Sequence, residues 1–315
     1  MKFKTVFLGT PDFVLPTIEY LHKETELVGI VTGPDRHGGR GNKVIIPEPK
    51  KFAIENKIPF YQPDTLKEGD VVEQLLKIDC DIFIVYAFGF ILPKKVLDIP
   101  KLAPINLHGS LLPKYRGASP IHAALLNGDT ESGITAQIMV EKLDAGDIVY
   151  QIKTPINDDD DYESLNHRLS LLAVDCLKDV FSQCSADNMN RTAQNKDEVS
   201  ICRKIKKEAG IINWENSYES IYRQIRAYSH WPHSYTYHGT MQVTIHEIEK
   251  GDDTTDHHPG EIIKADKSGL FVQCGTGVVQ IINLQPQGKK AMDYKSFLNG
   301  HKWKTGDQFQ LKPKK

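Results

Sequence analysis

Short apolar runs alternate with segments of helical periodicity through the first half of the chain. The apolar runs are rich in β-branched and aromatic residues and predict buried strands; they include TVFLG, DIFIVYAF and PINLHG. The intervening segments, such as VLPTIEYLHK and VVEQLLKI, space their apolar residues three or four positions apart. This alternation predicts a doubly wound α/β domain with a mostly parallel sheet. In such sheets ligands bind outside the carboxyl ends of the strands, so the residues that follow these runs are expected to face one crevice.

Beyond SPIHAALLNGD the pattern changes. Two β-like runs on either side of the turn sequence DAGD predict a hairpin at the far edge of the sheet, and a helix is predicted from about Tyr162 to Phe181. The segment SADNMNRTAQNKDEVS is polar and aperiodic, which is typical of an interdomain linker. After Gly210, one helix precedes several short strands separated by Gly and Asp turns, a spacing that predicts a small β-barrel. We therefore expect a catalytic domain over residues 1–185, a linker over 186–205 and a smaller barrel domain over 206–315.

Composition adds little to this picture, but it excludes several classes of protein. Of the 315 residues, 40% are apolar and 25% are charged, as in ordinary globular proteins. The chain opens without a cleavable signal pattern and has no apolar stretch near the roughly 20 residues of a membrane span, so a cytoplasmic location without membrane contact is expected. With 39 basic and 41 acidic side chains, any nucleic acid must be held by local basic patches rather than by bulk charge.

Residue types that hold metals or form disulfides do not cluster in the sequence. The five cysteines are scattered and lack a C-x-x-C pair, so free thiols that mostly fill the core are expected. The 12 histidines include no H-E-x-x-H sequence, and no metal cofactor is expected. The first strand is followed by GTPDF rather than G-x-G-x-x-G, and there is no P-loop. Without a nucleophile elbow, Ser110 is a weak candidate nucleophile.

Candidate chemistry lies in the stretch PINLHGSLLPKYRG. Asn106 and His108 are two positions apart, so on an extended strand their side chains project from the same side. An amide, an imidazole and a carboxylate, for which Asp144 is the candidate, would supply the oxyanion donor, the proton acceptor and the orienting group that acyl transfer to an amine requires. Alternatives stay open here. Asn106 could form a turn, His108 could be a satisfied core residue, and Asp144 or Asp147 could simply hold the turn.

Several motifs together resemble a known family. The stretch NLHGSLLPKYRGASPIHAALLNGD-x-x-SGIT, followed by LDAGDI, resembles the 10-formyltetrahydrofolate-dependent formyltransferases. The opening FLGTPDF, the loop PDRHGGRGNKV and the C-terminal LQPQGKKAM are similar to the branch that formylates methionyl-tRNA, and the similarity extends from about residue 2 to about residue 310. The resemblance implies a Rossmann-like formyltransferase domain and a C-terminal, tRNA-binding barrel that resembles the OB-fold. It further implies that 10-formyltetrahydrofolate donates a formyl group to initiator methionyl-tRNA for translation initiation, and a monomer is expected.

The resemblance also implies roles for individual residues. Asn106, His108 and Asp144 match the family's catalytic Asn, His and Asp. Two stretches match the family's folate-binding segments, and their residues are Ser110, Leu111, Leu112 and Pro113 in the first and Tyr86, Phe88, Gly89, Ile91 and Leu92 in the second. The expected tRNA contacts are basic residues in the loop over 33–49, the linker and the barrel, namely Arg40, Lys43, Lys204, Lys206, Lys289 and Lys290. The alternative is that the long loop is an idle surface insertion and that these cations only solvate the surface.

Two other functions stay open on the sequence alone. A sugar N-formyltransferase resembles the first domain and uses the same three residues on a nucleotide-linked amino sugar, but it should lack LQPQGKKAM and would have no use for the basic loop. A non-catalytic folate- or RNA-binding module would not need the catalytic trio intact. His230 stands where the family usually has Pro, and Cys202 stands where a small residue is common. These departures leave the tRNA contacts of the barrel and linker open.

Overall fold

The computed structural model describes residues 2–38, 43–185, 189–252 and 257–313. The chain divides into two compact units. The first unit comprises Met1–Pro120, Thr130–Ile156 and Leu165–Arg203, and the second comprises Ile121–Asp129, Asn157–Ser164 and Lys204–Lys315. The described part of the predicted linker, up to residue 203, therefore belongs to the first unit.

A seven-stranded sheet forms the centre of the first unit. In chain order, the strands of this unit are β1 (Lys4–Leu8), β2 (Glu26–Val31), β3 (Arg36–Gly38), β4 (Lys43–Ile45), β5 (Phe60–Tyr61), β6 (Ile82–Tyr86), β7 (Ala103–His108), β8 (Arg116–Gly117), β9 (Glu131–Ile138), β10 (Ile148–Pro155) and β11 (Ile201–Cys202). The first six helices of the chain are α1 (Leu15–Glu24), α2 (Glu48–Glu55), α3 (Asp70–Leu75), α4 (Lys94–Leu97), α5 (Pro120–Asn127) and α6 (Tyr162–Ser185).

The strand order is β10-β9-β7-β6-β1-β2-β5. The five strands from β5 to β7 pair in parallel, whereas β9 and β10 form an antiparallel hairpin at the edge, as predicted from the DAGD turn. From β1 the chain first builds outward through β2 and β5 and then returns to build β6 and β7 on the other side. This reversal places a crevice at the carboxyl ends of β1 and β6. The backbone after β1 passes close to the end of β6 there, because a Cβ on Gly9 would lie 2.5 Å from the carbonyl oxygen of Tyr86.

The central strands are apolar along their whole length because both faces of the sheet are covered. All five residues of β6 are buried, as are the last four of β1. A hydrophobic cluster includes Val6, Phe83, Phe88, Leu92 and Leu97. The predicted doubly wound sheet is confirmed, and its packed interior gives the strand ends a rigid base.

The second unit contains an antiparallel sheet of short strands. They are β12 (Ser234–His238), β13 (Met241–Lys250), β14 (Ile262–Asp266), β15 (Gly269–Gln273), β16 (Val278–Pro286) and β17 (Met292–Asp293), and the helices are α7 (Tyr218–Ala227) and α8 (Tyr294–Gly300). The order is β12-β13-β16-β15-β14. The C-terminal segment joins the two edges, because Gln310 exchanges backbone hydrogen bonds of 2.9 and 3.1 Å with Tyr237 while Phe309 N donates to Gly260 O at 2.8 Å. The sheet is thereby drawn into the small barrel that the strand spacing predicts.

The cysteines agree with the expectation of free thiols that mostly fill the core. All five cysteines are free, and Cys80, Cys176, Cys202 and Cys274 are buried. In the described ranges, no helix is both long enough and apolar enough to cross a membrane. Nor does the described part of the chain contain three or more His, Cys, Asp or Glu side chains grouped to hold a metal ion.

Candidate active site

Asn106 and His108 lie at the carboxyl end of β7, between β6 and β9. Both side chains reach the carboxylate of Asp144, which follows β9. Asn106 Nδ2 is 3.5 Å from Asp144 Oδ1, and His108 Nδ1 is 3.7 Å from Asp144 Oδ2. The structure therefore brings the three predicted residues together, and the two-residue spacing on the strand is the reason that both side chains point to one carboxylate.

The Asp144 carboxylate is surrounded by hydrogen-bond donors. Gln137 Nε2 donates to its Oδ1 at 2.9 Å, and the backbone N–H of Gly117 donates to its Oδ2 at 2.8 Å. Only 11% of the Asp144 side chain is exposed, so these bonds are shielded from water. Two donors at short distance, with Asn106 as a third, suit an ionised carboxylate, which accepts and cannot donate.

The loop that carries Asp144 has a constrained backbone. Asp144 has φ = 47°, in the left-handed region that Asp tolerates better than most residues. Two positions later, a Cβ on Gly146 would overlap the carbonyl oxygen of Ile138, so only glycine allows the loop to pass so close to β9. Asp147 is exposed, and its backbone carbonyl accepts from Ile138 N at 2.9 Å. Of the two aspartates in the turn, Asp144 is thus the one whose side chain faces His108.

The imidazole of His108 is buried and has a direct partner that the sequence did not reveal. Its Nε2 lies 2.8 Å from the backbone carbonyl oxygen of Tyr115. A carbonyl oxygen only accepts, so Nε2 carries the proton and Nδ1 faces Asp144. The 3.7 Å separation from Asp144 exceeds a hydrogen bond, which is about 2.7–3.2 Å long. The ring is therefore oriented first by Tyr115, and the expected orienting role of Asp144 stays a prediction.

Tyr115 is itself held by residues that follow helix α6. Its N–H donates to Ser200 Oγ at 2.8 Å, and Cys202 Sγ donates to its carbonyl oxygen at 3.2 Å. Burial raises the pKa of the Cys202 thiol, so the thiol keeps its proton and remains a donor at neutral pH. At Gly117, which pairs with Cys202, φ is 121° and a Cβ would overlap the Cys202 carbonyl oxygen. A segment predicted to be a linker thus supports the loop beside the imidazole.

The two expected folate-binding stretches differ in accessibility. In the first, Ser110, Leu112 and Pro113 are buried, and only Leu111 is partly exposed. The Ser110 hydroxyl donates to the carbonyl oxygen of Lys114 at 2.7 Å, which agrees with its weak candidacy as a nucleophile. In the second stretch the buried residues alternate with exposed ones: Tyr86, Phe88 and Leu92 are buried, whereas Gly89 and Ile91 are exposed. Folate binding by either stretch stays a prediction.

A cavity of about 480 Å³ in the first unit is lined by Leu102, Ala103 and Pro104 at the amino end of β7. Its apolar lining includes Leu97, Ile138 and Met139, and its charged lining residues are Lys94, Asp98, Glu141 and Arg191. Leu97 belongs to the same hydrophobic cluster as Phe88 and Leu92, and Met139 packs against that cluster. The lining contains none of the three candidate catalytic residues and none of the expected folate-binding residues.

The expected tRNA-binding residues are exposed wherever they are described. Arg40 lies outside the described residues. Lys43 begins strand β4, which forms an antiparallel hairpin with β3 inside the long basic loop. Within the described ranges no ion pair involves Lys43 or the four exposed lysines of the second unit, which are Lys204, Lys206, Lys289 and Lys290. Their contact with tRNA stays a prediction.

Comparison with known proteins accounts for nearly the whole chain. The formyl transferase family profile matches residues 2–181, and the profile of the formyl transferase C-terminal domain matches residues 204–302. A methionyl-tRNA formyltransferase of Listeria innocua is 40% identical over 298 residues, which cover 94% of this chain and 95% of the relative. A methionyl-tRNA formyltransferase of Marinobacter nauticus is 38% identical over 300 residues, which cover 95% of this chain and 96% of the relative.

Solved structures with low sequence identity share the fold. The N-formyltransferase of Helicobacter canadensis, in complex with folinic acid and dTDP-3-aminofucose, superposes with a TM-score of 0.66 at 19% identity and covers 89% of this chain and 99% of its own. HypX of Aquifex aeolicus, in complex with tetrahydrofolic acid, gives a TM-score of 0.63 at 16% identity and covers 98% of this chain and 51% of its own. Taken with the two matching profiles and the near full-length relatives, this places the chain in the methionyl-tRNA formyltransferase family, a branch of the formyl transferases.

Proposed function

We propose that this enzyme transfers the formyl group of 10-formyltetrahydrofolate to the α-amino group of methionyl-tRNA, with the initiator tRNA as the preferred acceptor. The observation that carries the proposal is the meeting of Asn106, His108 and Asp144 at one strand end. The near full-length similarity to relatives named for that reaction supports it. The product is N-formylmethionyl-tRNA, the substrate of translation initiation.

The reaction begins with attack of the neutral amine on the formyl carbon. An α-amine titrates near 8, so a useful neutral fraction is present at about pH 7 to 8. Attack places negative charge on the formyl oxygen and positive charge on the amine nitrogen. In this proposal the amide of Asn106, at the end of β7, donates to that oxygen. One such donor contributes about 10²- to 10³-fold to kcat.

His108 and Asp144 manage the proton. With Nε2 donating to the Tyr115 carbonyl, Nδ1 of the neutral ring accepts the proton released by the attacking amine. Asp144 stabilises the imidazolium while the ring holds that proton, because its carboxylate lies 3.7 Å away. The proton then passes to N10 as the bond between N10 and the formyl carbon breaks, and tetrahydrofolate leaves. No covalent enzyme intermediate is needed.

The second expected folate-binding stretch suits the flat, aromatic ring system of the folate. Its buried residues Tyr86, Phe88 and Leu92 are apolar or aromatic, as the lining of ligand pockets usually is. The exposed backbone at Gly89 and Ala87, both with positive φ, offers polar groups along the second folate-binding stretch. We place the pterin against this stretch, because the end of β6 pairs with the end of β7 and N10 then comes close to Asn106 and His108.

The exposed lysines supply positive charge that can bind the phosphates of a tRNA. The β3–β4 hairpin presents Lys43, and the second unit presents Lys204, Lys206, Lys289 and Lys290. Loss of one phosphate contact weakens tRNA binding and lowers the slope of log affinity against log salt concentration by about one unit, while the chemical step is unchanged.

Lys43→Ala should therefore raise the KM for charged tRNA and leave kcat unchanged. Lys178→Ala is a matched control, because that exposed lysine pairs with Asp175 on helix α6.

The proposed function is tested by following the formyl group. The enzyme is incubated with 10-formyltetrahydrofolate labelled on the formyl carbon and with charged methionyl-tRNA, and the label is traced after mild deacylation. We expect the label on the methionine amine together with one equivalent of tetrahydrofolate. Label that stays on the folate, or that is released only as formate, would contradict the proposal.

A further inference from the structure

Gln194 lies in the segment that follows helix α6 and is 9% exposed. Its side chain connects two loops of the candidate active site. The carbonyl oxygen Oε1 accepts from Nε and Nη2 of Arg116 at 2.9 and 2.8 Å. The amide nitrogen Nε2 donates to the backbone carbonyl oxygens of Asp144 and Gly146, at 2.9 and 2.7 Å.

The partners fix the orientation of this amide. A guanidinium only donates, so Oε1 must face Arg116, and backbone carbonyls only accept, so Nε2 must face the loop of Asp144. The two short bonds use both hydrogens of Nε2, and Gln137 Oε1 at 3.3 Å is a third, weaker contact. Gln137 in turn donates to the Asp144 carboxylate. Neither a rotated amide nor a carboxylate meets these requirements.

The loop that Gln194 holds is under conformational constraint. Asp144 has a left-handed backbone conformation, and such residues persist only where their surroundings determine them. Gln194 binds the carbonyl oxygens on both sides of Ala145, which fixes the peptide planes of the turn. The turn directs the Asp144 side chain towards His108 and Asn106.

We propose that Gln194 is a positioning residue for formyl transfer, which acts by holding the Asp144 turn in the geometry that the reaction needs. This inference rests on the proposed function, because it takes Asp144 as catalytic. A segment expected to link two domains is by this account part of the catalytic apparatus. A displacement of about 1 Å in a catalytic group lowers the rate by about 10²-fold, which sets the size of the expected effect.

Gln194→Met preserves the length of the side chain and removes all of its hydrogen bonds. We expect kcat to fall by about 10- to 100-fold, with the KM for tRNA and for folate within about twofold of wild type. Asn195→Ala is the matched control, because the bonds of the Asn195 side chain within the described part of the chain go to Asp197 and Glu198 in its own turn. A rise in KM without a fall in kcat would overturn the proposal.

Gln194→Glu separates positioning from a merely structural role. The carboxylate keeps an acceptor for Arg116, so it should keep the fold, but it turns an oxygen towards the carbonyls of Asp144 and Gly146. We expect a loss of kcat similar to that of Gln194→Met. Near wild-type kcat in this variant would show that pairing with Arg116 is all that matters, and would overturn the proposal. This variant carries the test should Gln194→Met melt below the assay temperature.

A double-mutant cycle completes the test in single-turnover assays. If Gln194 acts through Asp144, Gln194→Met should have an effect of less than about twofold once Asp144→Ala is present. Losses that multiply would overturn the inference while leaving the proposed function intact. Failure of the wild-type enzyme to formylate methionyl-tRNA in the same assay would instead contradict the proposed function.

Discussion

Replacement of Asp144 by Asn probes the carboxylate with little change in shape. Asn keeps the left-handed backbone conformation that position 144 requires, since Asn and Asp tolerate it alike. The substitution removes the negative charge 3.7 Å from His108 Nδ1. It also replaces one oxygen by an NH₂ group, so that either Gln137 Nε2 or Gly117 N loses its acceptor.

Two magnitudes follow from this geometry. Unit charges about 4 Å apart attract by about 4 kcal/mol at an effective dielectric constant of about 20, and this attraction arises only once the imidazolium forms. Its loss from the transition state corresponds to about 10³-fold in kcat. Because Gln137 Nε2 or Gly117 N is left buried without an acceptor, the free energy of unfolding should fall by about 1 to 3 kcal/mol. We therefore expect kcat to fall by about 10²- to 10³-fold with a modest loss of stability.

Single-turnover formylation at saturating folate measures the loss of kcat, and urea unfolding measures the loss of stability. Asp147→Asn is the matched control, because Asp147 lies in the same turn, is exposed and loses the same charge. Its kcat should stay near that of wild type. A kcat for Asp144→Asn within about fivefold of wild type would refute the reasoning, because no charge interaction of the stated size could then be present.

Three further predictions concern other parts of the structure. Asn106→Ala should lower kcat by about 100-fold or more in single-turnover assays, since it removes one oxyanion donor. Gly146→Ala should lower both the melting temperature and kcat, because its Cβ would meet the Ile138 carbonyl oxygen and displace the turn that carries Asp144. Burial lowers the pKa of His122 to about 4, below the value of about 6.5 in an unfolded chain, so the unfolded state takes up protons first and stability should fall as the pH drops from about 6.5 to 4. His122→Gln should reduce that loss by about 2 to 3 kcal/mol in urea unfolding measured at several pH values.

Each of these predictions has its own control. Near-normal turnover of Asn106→Ala would contradict its assignment as an oxyanion donor. Gly300→Ala serves as the control for Gly146, because a Cβ at Gly300 meets no atom within 4 Å, and equal melting temperatures for the two variants would contradict the steric argument. For His122, identical pH dependence in the wild type and the variant would show that burial between Tyr162 and Tyr228 does not hold the ring neutral.

The architecture of the site could be predicted from the sequence, because strands and their exposed faces leave periodic, local patterns of apolar and polar residues. Apolar runs identified the strands, and the spacing of Asn106 and His108 placed both side chains on one side of β7. The hairpin of β9 and β10 followed from the DAGD turn between two β-like runs. The family resemblance then joined Asp144 to the pair, and the comparisons confirm that resemblance. The packing of the sheet brings these distant positions together.

The supporting contacts could not be predicted in the same way. The partner of His108 is the backbone carbonyl of Tyr115, and a backbone group leaves no trace in side-chain identity. Gln194 lies in a polar, aperiodic segment, and only the tertiary structure brings it to Arg116 and the Asp144 turn. The short strands β3 and β4 lie in a loop whose Gly-rich sequence carries too few alternating positions to reveal a hairpin. Long-range polar contacts of this kind depend on the assembled fold.

Formylation of methionine on the initiator tRNA is the proposed activity of this site. Its most direct measurement is a competition in which the enzyme receives limiting 10-formyltetrahydrofolate and equal amounts of charged initiator methionyl-tRNA, charged elongator methionyl-tRNA and a nucleotide-linked amino sugar. We expect nearly all formyl groups to appear on the initiator methionyl-tRNA. Formylation of the amino sugar, with both tRNAs left unmodified, would contradict it.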